Sequence, residues 1–465
     1  MKKYILFFAM LLPLFGANDL SDLLNTDLDL KTNAVVKVGT TNVDEPTSLF
    51  SLTGQLTSIS SYNMVRDFVQ AKGIEWYNSN SLGTKLNAEL YVDIRLRESI
   101  KGYADLAITY NPLGEIGGKN VALVSTNKLT TNYWTLGETN NLILTVKELF
   151  IDANIAKVVY LRTGKQVLAW GQGYFWNPSD LINIQKKDFA NITTANLTRE
   201  GTYGIKMHVP FGTTANLYGF LNMKDIKNFD DIGVAGKIEA LLFGWEGSVS
   251  GVASKGYRPV YAADLTGRIP FINVDVRGEA SLSYGDNKNR LYSSNVSITF
   301  PITTNYTTYY TQQVSNEWVP RICVGFSKSF DVLDVKDRLT VLGEYFYNAG
   351  GYNGDGFRDS DQIKKYALFS LYEPNYFGVH YGFLAVSVSK FILSDMTFNF
   401  NVIANCSDWS GVVVAGISYN PVYNFTIGCS LSGNVGTENG EYTLASPYTG
   451  LINGMSATVT VALTF

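Results

Sequence analysis

Strict alternation of apolar and polar residues is the clearest pattern in this chain, and its last residues show it well. From Met455 to Phe465 every second residue is apolar, and the residues between them are Ser, Thr or Ala. Successive side chains of a β-strand point to opposite faces, so this period of two predicts a strand with one apolar face. In a water-soluble sandwich the polar face would lie outside, whereas in a transmembrane barrel the apolar face contacts lipid. This strand alone leaves both interpretations open.

The same alternation recurs along the chain. Residues 84–97 place Leu, Ala, Val and Ile on one face and mostly charged or amide side chains on the other. Residues 272–283 repeat it, with Arg277 and Glu279 on the polar face, and so do residues 396–405. Repeated segments of this kind predict an all-β protein.

Turn signals divide the chain into strands. Pro210, Pro270, Pro301 and Pro421 mark strand ends, because proline cannot donate a hydrogen bond to a β-ladder. Longer polar intervals cover residues 62–83, 111–141, 170–200, 349–377 and 434–453. If one strand is assigned between every two successive turn signals, the chain has about twenty strands. The number is about eighteen if the weak pair that flanks Pro301 is merged. All the long intervals then lie at the same end of the strands.

These patterns predict one transmembrane, up-and-down, antiparallel β-barrel of about 16–20 strands, with long loops at one end and short turns at the other. The composition agrees with this fold. Hydrophobic residues make up 46% of the chain, yet the mean hydropathy is only +0.01. After the N-terminus, no apolar run is long enough for a transmembrane helix, and barrel strands hide their hydrophobicity in alternation.

Charge and cysteine content exclude some functions. The net charge of -4 argues against nucleic acid as a partner, because such surfaces concentrate Lys and Arg. Cys323, Cys406 and Cys429 are odd in number, widely spaced and without a Cys-x-x-Cys pair, so we interpret them as packing residues.

The N-terminus has the features of an export signal. Lys2 and Lys3 precede an apolar stretch over residues 5–15, and the small residues Gly16 and Ala17 follow. This pattern predicts a cleaved signal peptide over residues 1–17. Residues 18–46 are expected to form a periplasmic N-terminal segment, either a short helix or a solvated leader. Residues 47–465 are expected to form the barrel, without a second domain.

The alternating last strand, which ends in Phe465, resembles the C-terminal signature of Gram-negative outer-membrane β-barrels. In those proteins the assembly machinery reads the terminal aromatic residue as an insertion signal. The resemblance implies a location in the bacterial outer membrane. It also implies contact with the barrel assembly machinery, with outer-membrane lipid and with lipopolysaccharide or its equivalent. A homo-oligomer is compatible with such a barrel, but no segment of the sequence specifies one.

A second resemblance lies in residues 161–183. Arg162, Gly164, Lys165 and Gln166 precede a Trp170-Gly171 pair, and this resembles a segment of outer-membrane porin and alginate-export-like channel families. There, a basic strand leads into a loop that can fold into the pore. The resemblance implies that residues 170–200 fold at least partly into the lumen. The alternative is a structural cluster of Trp and Gly at the lipid–water boundary.

Enzymatic chemistry is not expected. The chain has two histidines, His208 and His380, and neither is followed two residues later by a serine or accompanied by an adjacent aspartate. A hydrolase would lack its general base, so no catalytic residue is assigned. The Asp- and Gly-rich residues 351–361 do not have the ligand spacing of a calcium loop. We therefore expect no metal site and no cofactor.

The sequence favours a porin-like channel for passive diffusion of small hydrophilic solutes. Lumen aromatics such as Tyr91 and Phe150 would favour instead a substrate-selective transporter for an oligosaccharide or a hydrophobic compound. A barrel-anchored surface adhesin or receptor and a soluble secreted β-protein are further alternatives. The residues expected to line the pore and set its selectivity are Glu89, Asp93, Arg95, Arg97, Glu148, Asp152, Arg162, Lys165, Gln166, Lys186 and Lys187. Strand parity places Lys165 opposite Arg162 and Gln166.

Overall fold

The computed structural model describes residues 49–67, 80–97, 100–112, 142–182, 200–224, 226–299, 303–354, 364, 368, 371–437, 439–443 and 451–465. The predicted signal peptide and N-terminal segment lie outside these residues, as do Lys186 and Lys187. The assignments made for them stay predictions.

The described residues form twenty strands. The first ten are β1 (Phe50–Asp67), β2 (Asn80–Arg97), β3 (Ile100–Tyr110), β4 (Leu142–Ile155), β5 (Val159–Gln166), β6 (Thr202–Phe211), β7 (Ala215–Asn222), β8 (Gly233–Leu242), β9 (Trp245–Ala253) and β10 (Val260–Ile269). The others are β11 (Val274–Tyr284), β12 (Asn289–Thr299), β13 (Thr303–Gln313), β14 (Trp318–Val332), β15 (Val335–Asn348), β16 (His380–Ser389), β17 (Met396–Asn405), β18 (Ser410–Val422), β19 (Phe425–Gly436) and β20 (Leu451–Thr464). Phe229–Asp231 and Glu441–Thr443 form single 3-10 turns. No helix in the described part of the chain is long and apolar enough to cross a membrane.

Eighteen of these strands close into one antiparallel barrel. β1 to β11 and β14 to β20 each pair with the next strand of the wall, and β20 pairs with β1 from Gln55–Thr464 to Asp67–Leu451. Closure leaves no unpaired strand edge in the wall. The predicted all-β, up-and-down barrel and its range of strand number are confirmed.

The two remaining strands form a hairpin outside the wall. β12 and β13 pair only with each other, and β11 pairs directly with β14, with Tyr284 opposite Trp318. This hairpin is the weak pair that flanks Pro301 in the sequence. Both strands therefore exist, but they belong to a connection, and the wall has eighteen strands instead of twenty.

The connections differ between the two ends of the barrel. At one end the strands are joined by tight turns such as Phe243–Gly244 and Leu333–Asp334, whose positive φ angles are typical of hairpin turns. The five predicted long intervals join β1 to β2, β3 to β4, β5 to β6, β15 to β16 and β19 to β20. All five lie at the opposite end, as the sequence predicts.

The inner and outer faces follow the predicted alternation. Leu82, Leu86 and Ile94 of β2 are exposed on the outside, and Glu89 and Asp93 are buried inside. In β20, Met455, Leu463 and Phe465 are exposed, whereas Ser456, Thr458 and Thr460 are buried. An apolar belt around the whole outer wall is far larger than the patches of soluble monomers, so we infer that it contacts lipid hydrocarbon.

The seam between β20 and β1 closes on the terminal residue. The Phe465 N–H donates to the Gly54 carbonyl at 2.9 Å, and the Gly54 N–H donates to the Phe465 carbonyl at 2.8 Å. A Cβ atom on residue 54 would lie 2.7 Å from the Phe465 ring and 2.6 Å from the Glu89 carbonyl oxygen. Glycine is therefore the residue that lets the terminal ring cover the seam.

Candidate functional site

The chain that follows β5 lies inside the barrel. Residues 167–182, here called the inner segment, hydrogen-bond to side chains of β8, β9, β11 and β15. These strands belong to different parts of the wall, so only a position in the lumen allows one segment to reach them all. The described part of the predicted pore loop therefore folds inward.

Glu279 of β11 binds the first half of the inner segment. Its carboxylate accepts hydrogen bonds from the backbone N–H groups of Gln172 and Gly173. Its second oxygen accepts from the N–H of Ser179 at 3.2 Å and from the Ser179 hydroxyl at 2.6 Å. Glu279 is 3% exposed, so these donors replace the water that a buried carboxylate loses.

Glu344 of β15 binds the second half. Three consecutive backbone N–H groups converge on its carboxylate, from Tyr174 at 2.7 Å, Phe175 at 3.1 Å and Trp176 at 2.7 Å. Successive N–H groups that point to one side form a concave anion site. Here the anion is a side chain of the barrel wall, and it fixes the backbone of the inner segment.

Arg277 and Glu246 hold the same stretch from other strands. The Arg277 guanidinium donates to the Gln172 carbonyl at 2.8 Å and lies 3.6 Å from the centroid of the Tyr174 ring. The Gln172 side chain donates to Glu246 of β9 at 3.1 Å. The hydrogen bond from Arg277 to the Gln172 carbonyl and the cation–π contact both favour this arrangement.

Aromatic packing completes the anchor. Trp176 is fully buried and stacks on Phe346 of β15 at 5.4 Å between ring centroids, and Phe175 stacks on Phe383 of β16 at 5.2 Å. The rest of this cluster comes from the inner faces of β14 to β18 and includes Cys323, Leu342, Tyr381, Ala385, Ile403, Val412 and Val414. The Trp176 indole N–H donates to the Asn375 carbonyl at 2.8 Å.

The beginning of the inner segment packs against a different part of the wall. Leu168 and Trp170 form a second buried cluster with Phe220 of β7 and Ala235 of β8. The Lys237 ammonium donates to the Trp170 carbonyl at 3.0 Å. The inner segment therefore covers the inner face of the barrel from β7 to β18 and narrows the lumen from that side.

A charged wall on β2 to β5 carries most of the predicted pore residues. Glu89 is buried and forms an ion pair with the buried Lys147 of β4. Asp93 pairs with Lys101 of β3 at 2.9 Å and with Arg95 at 3.3 Å. The negative charges predicted here are thus partly compensated by cations on neighbouring strands.

Arg162 is the central cation of this wall. It donates two hydrogen bonds to Asp152, at 2.6 and 2.8 Å, which is the bidentate geometry that Arg forms with carboxylates. Its guanidinium also lies 3.7 Å from the Phe150 ring centroid, and Phe150 contacts Tyr103 at 5.0 Å between centroids. Lys206 of β6 is opposite Arg162 in the register. Aromatic and charged groups therefore alternate on this wall.

The other predicted pore residues have different positions. Glu148 accepts a hydrogen bond from the Val167 N–H at 2.5 Å, and Gln166 is fully buried and donates to the Gly204 carbonyl at 3.2 Å. Lys165 lies on the other face of β5, with its ammonium beside Glu200, as strand parity indicates. Arg97 lies in β2, but its side chain is outside the described part of the chain.

Sequence reasoning missed several residues of this site, among them Glu344 and Lys147. Glu344 is a single acid between Leu342 and Phe346 on an otherwise apolar inner face, and such an acid is a signal for a buried hydrogen-bonding partner. The inward position of Lys147 cannot be predicted from alternation, because the register between β3 and β4 shifts near Asp105 and Leu106. After such a shift, alternation no longer tells the inner face from the outer one.

The histidines have structural environments. His208 hydrogen-bonds to Asn216 at 2.9 Å and stacks on Tyr218, and His380 hydrogen-bonds to the Tyr345 hydroxyl at 2.7 Å. Among the residues that the structure describes, no group of three or more His, Cys, Asp or Glu side chains could hold a metal ion.

No protein-family model matches this chain, and no curated protein matches it. Solved structures do match. A BenF-like porin from Pseudomonas fluorescens Pf-5 has a TM-score of 0.52 at 8% identity, over 90% of this chain and 98% of that one. OccK9 (OpdG) from Pseudomonas aeruginosa has a TM-score of 0.52 at 9% identity, over 90% and 98%. OccAB1 from Acinetobacter baumannii has a TM-score of 0.50 at 10% identity, over 89% and 96%. At these identities the likeness is one of fold, and this chain shares the barrel fold of these solved porins.

Proposed function

We propose that this protein is an outer-membrane, porin-like channel through which small hydrophilic solutes diffuse passively. The observation that carries the proposal is a closed barrel with an apolar outer belt, a charged inner wall and an inner segment that narrows the lumen. A wet lumen with fixed charges of both signs screens solutes by size and charge. The likeness in fold to solved porins supports the same function.

Conductance of the refolded chain in planar lipid bilayers tests this proposal. We expect steady single-channel steps, and a reversal potential in a salt gradient that reports the ion preference of the lumen. Removal of Lys186 and Lys187, which lie in the same connection as the inner segment, tests their predicted role in selectivity. A correctly folded barrel that inserts and stays electrically silent would contradict the channel and favour a surface adhesin or receptor.

A substrate-selective channel is the second candidate. The specific observation is the alternation of aromatic rings and cations beside the narrowed lumen, with Arg162 over Phe150 and Arg277 over Tyr174. Phe150 and Tyr174 are covered in this structure, so a solute with polar and apolar groups would have to displace their neighbours to contact these pairs. Saturable block of the ion current by such solutes would favour selectivity over general diffusion.

We further propose that the chain is assembled into the outer membrane of a Gram-negative bacterium with Phe465 as its assembly signal. The apolar belt and the terminal aromatic residue at the seam support this location. Membrane lipid, lipopolysaccharide or its equivalent and the barrel assembly machinery would then be its partners. Fractionation of cells that express the full chain tests the location directly.

A further inference from the structure

Asn375 connects the inner segment to an external loop. Asn375, in the connection between β15 and β16, accepts the Trp176 indole N–H with its carbonyl at 2.8 Å. Its own N–H donates to the Glu441 carboxylate at 2.8 Å. Its side-chain oxygen accepts from the Tyr442 hydroxyl at 2.7 Å. Three hydrogen bonds therefore fix Asn375 between the inner segment and the connection from β19 to β20.

Glu441 is the centre of this arrangement. Its second carboxylate oxygen accepts from the Tyr381 hydroxyl at 2.6 Å and from the Asn405 side chain at 2.9 Å. Its backbone N–H donates to Asp408 at 2.7 Å. Glu441 is 4% exposed although it belongs to a loop, so the carboxyl is inserted into a pocket built by β16, β17 and the β17–β18 connection.

We propose that Glu441 is a positioning residue that sets the place of the inner segment from the loop end of the barrel, and that its charge regulates the current. The 3-10 turn Glu441–Thr443, Asn375 and Trp176 then move as one unit. This inference rests on the proposed channel function. Glu441 would control how far the inner segment narrows the lumen, a role that neither the charged wall nor the predicted loop residues have.

The surroundings of Glu441 make its charge costly. The titratable groups that face it are Tyr381 from β16, Asp408 from the β17–β18 connection and its own neighbour Tyr442, which are acidic or phenolic. Burial raises the pKa of Glu441 to about 8, although the hydrogen bonds from Tyr381 and Asn375 oppose the rise. The inserted carboxyl therefore binds a proton more tightly than a hydrated one.

The sign of the pH dependence follows from this difference. A detached loop would return Glu441 to its ordinary pKa of 4.5, whereas the inserted carboxyl has a pKa of about 8. Insertion is fully favoured below the detached pKa of 4.5, and this preference is lost as the pH rises through the inserted pKa of about 8. Between them, the insertion equilibrium falls about tenfold for each pH unit. We expect a well-positioned inner segment in acid and a more mobile one at alkaline pH.

Two variants and one control separate positioning from general stability. Glu441→Ala removes the acceptor for Asn375, Tyr381 and Asn405. Glu441→Gln keeps a side chain of the same shape that stays neutral, so it imitates the protonated carboxyl at every pH. Asp231→Asn, in the exposed 3-10 turn between β7 and β8, also removes one loop carboxylate but has no described contact with the inner segment.

Hydrogen–deuterium exchange of the refolded full chain gives a readout that does not need a current. The N–H groups of Tyr174, Phe175 and Trp176 are protected by Glu344, and residue 441 is far away in sequence. We expect faster exchange of this peptide in Glu441→Ala at any pH, and no change in Asp231→Asn. Wild-type protein should lose protection progressively relative to Glu441→Gln as the pH rises from 6 to about 8, where the fall in the insertion equilibrium ends.

Bilayer recording tests the same variants for regulation. We expect larger and noisier single-channel steps for Glu441→Ala. In the wild type the conductance should rise towards pH 8.5, and in Glu441→Gln this rise should be absent. Unchanged exchange and unchanged conductance in folded, heat-resistant Glu441→Ala would overturn the inference. A wild-type barrel without current would contradict the channel itself, and the exchange experiment would still decide whether Glu441 positions the inner segment.

Discussion

Glu344 shows how one wall residue determines the backbone of the inner segment. Its carboxylate is the acceptor for three buried N–H groups, so Glu344→Ala removes the acceptor of all three. Each unsatisfied buried donor costs about 1–3 kcal/mol. We expect the free energy of unfolding in detergent to fall by at least that amount. Single-channel conductance should rise, because the segment loses its anchor to β15.

Glu344→Gln is the matched control for this prediction. Its amide oxygen still accepts some of the same N–H groups, but it carries no charge. We expect an intermediate loss of stability, because hydrogen bonds to a charged acceptor are stronger than those to a neutral one. Equal stability of Glu344→Ala and the wild type would show that the inner segment is held by its aromatic residues alone.

Gly173 tests the local geometry of the same segment. A Cβ atom at this position would lie 2.1 Å from the Trp176 carbonyl oxygen and 3.2 Å from the Glu279 carboxylate. Gly173→Ala must displace backbone, and we expect a destabilisation of about 1–3 kcal/mol, as for other overpacked sites. Gly278 of β11 has no atom within 4 Å of an added Cβ, so Gly278→Ala should unfold at the same urea concentration as the wild type.

At the scale of elements, β2 tests the assignment of faces. Leu90→Arg places a charge on the lipid side and should cost about 2–4 kcal/mol near the membrane midplane. Asp93→Asn should be tolerated, since its partners Lys101 and Arg95 keep contact with solvent. Alternation alone would predict the same tolerance for Glu89. The structure changes this expectation, because Glu89→Gln removes the carboxylate that is ion-paired with the buried Lys147.

The cost of breaking such a buried ion pair is about 3–5 kcal/mol. We therefore expect the order of stability to be wild type, Asp93→Asn, then Leu90→Arg and Glu89→Gln, measured by urea unfolding in micelles. Recovery of stability in a Glu89→Gln, Lys147→Met double variant would show that the loss comes from breaking this ion pair. Full stability of Leu90→Arg would mean that this face does not contact lipid.

The hairpin of β12 and β13 should be dispensable for the barrel. It pairs with no strand of the wall, and its described attachments include those of Arg290 to the Ala349 and Gly351 carbonyls at its base. We expect that replacing residues 289–313 by a short Gly-Ser linker leaves a folded barrel with unchanged heat resistance on gels. A deletion variant that fails to fold would show that the hairpin takes part in assembly of the wall.

The sequence predicts elements with two clear faces better than it predicts what fills the lumen. In β2 and β20 the alternation persists over many residues, so the inner and outer faces can be assigned without a structure. The hairpin is a weaker pair in the sequence, but its pattern alone does not show whether it belongs to the wall or to a connection. Contacts between distant residues, such as Glu344 with Trp176 or Glu441 with Asn375, have no local pattern and need the closed barrel.

At the scale of the whole molecule, the barrel combines a uniform outer wall with an uneven inner one. The outer face is apolar all the way round, whereas inside the charged residues lie on β2 to β5 and on β8 to β11, and the apolar residues concentrate on β14 to β18. The inner segment covers the apolar part and leaves the charged wall opposite it. Without the segment, the lumen would expose the aromatic cluster around Phe346 and Phe383 to water, at a cost of about 1.5–3 kcal/mol for each large side chain.

Closure of this wall depends on its last residue. Phe465 contributes two backbone hydrogen bonds with Gly54 and a ring that lies outside, over the seam. Removal of Phe465 therefore takes away part of the β1–β20 pairing together with the predicted assembly signal. We expect the deletion to lower the amount of heat-resistant barrel in the membrane fraction of cells, while Phe465→Trp, which keeps an aromatic terminus, stays close to wild type.

Refolding in detergent separates the two roles of Phe465. A chain without Phe465 that refolds normally in micelles but fails in cells would locate the defect in assembly. Failure in both would locate it in the seam, since β20 and β1 must pair before the barrel can close. Gly54→Val helps to decide, because it keeps Phe465 but pushes its ring away from β1, so it should impair refolding in micelles as well. Normal membrane levels of the deletion variant would contradict both roles.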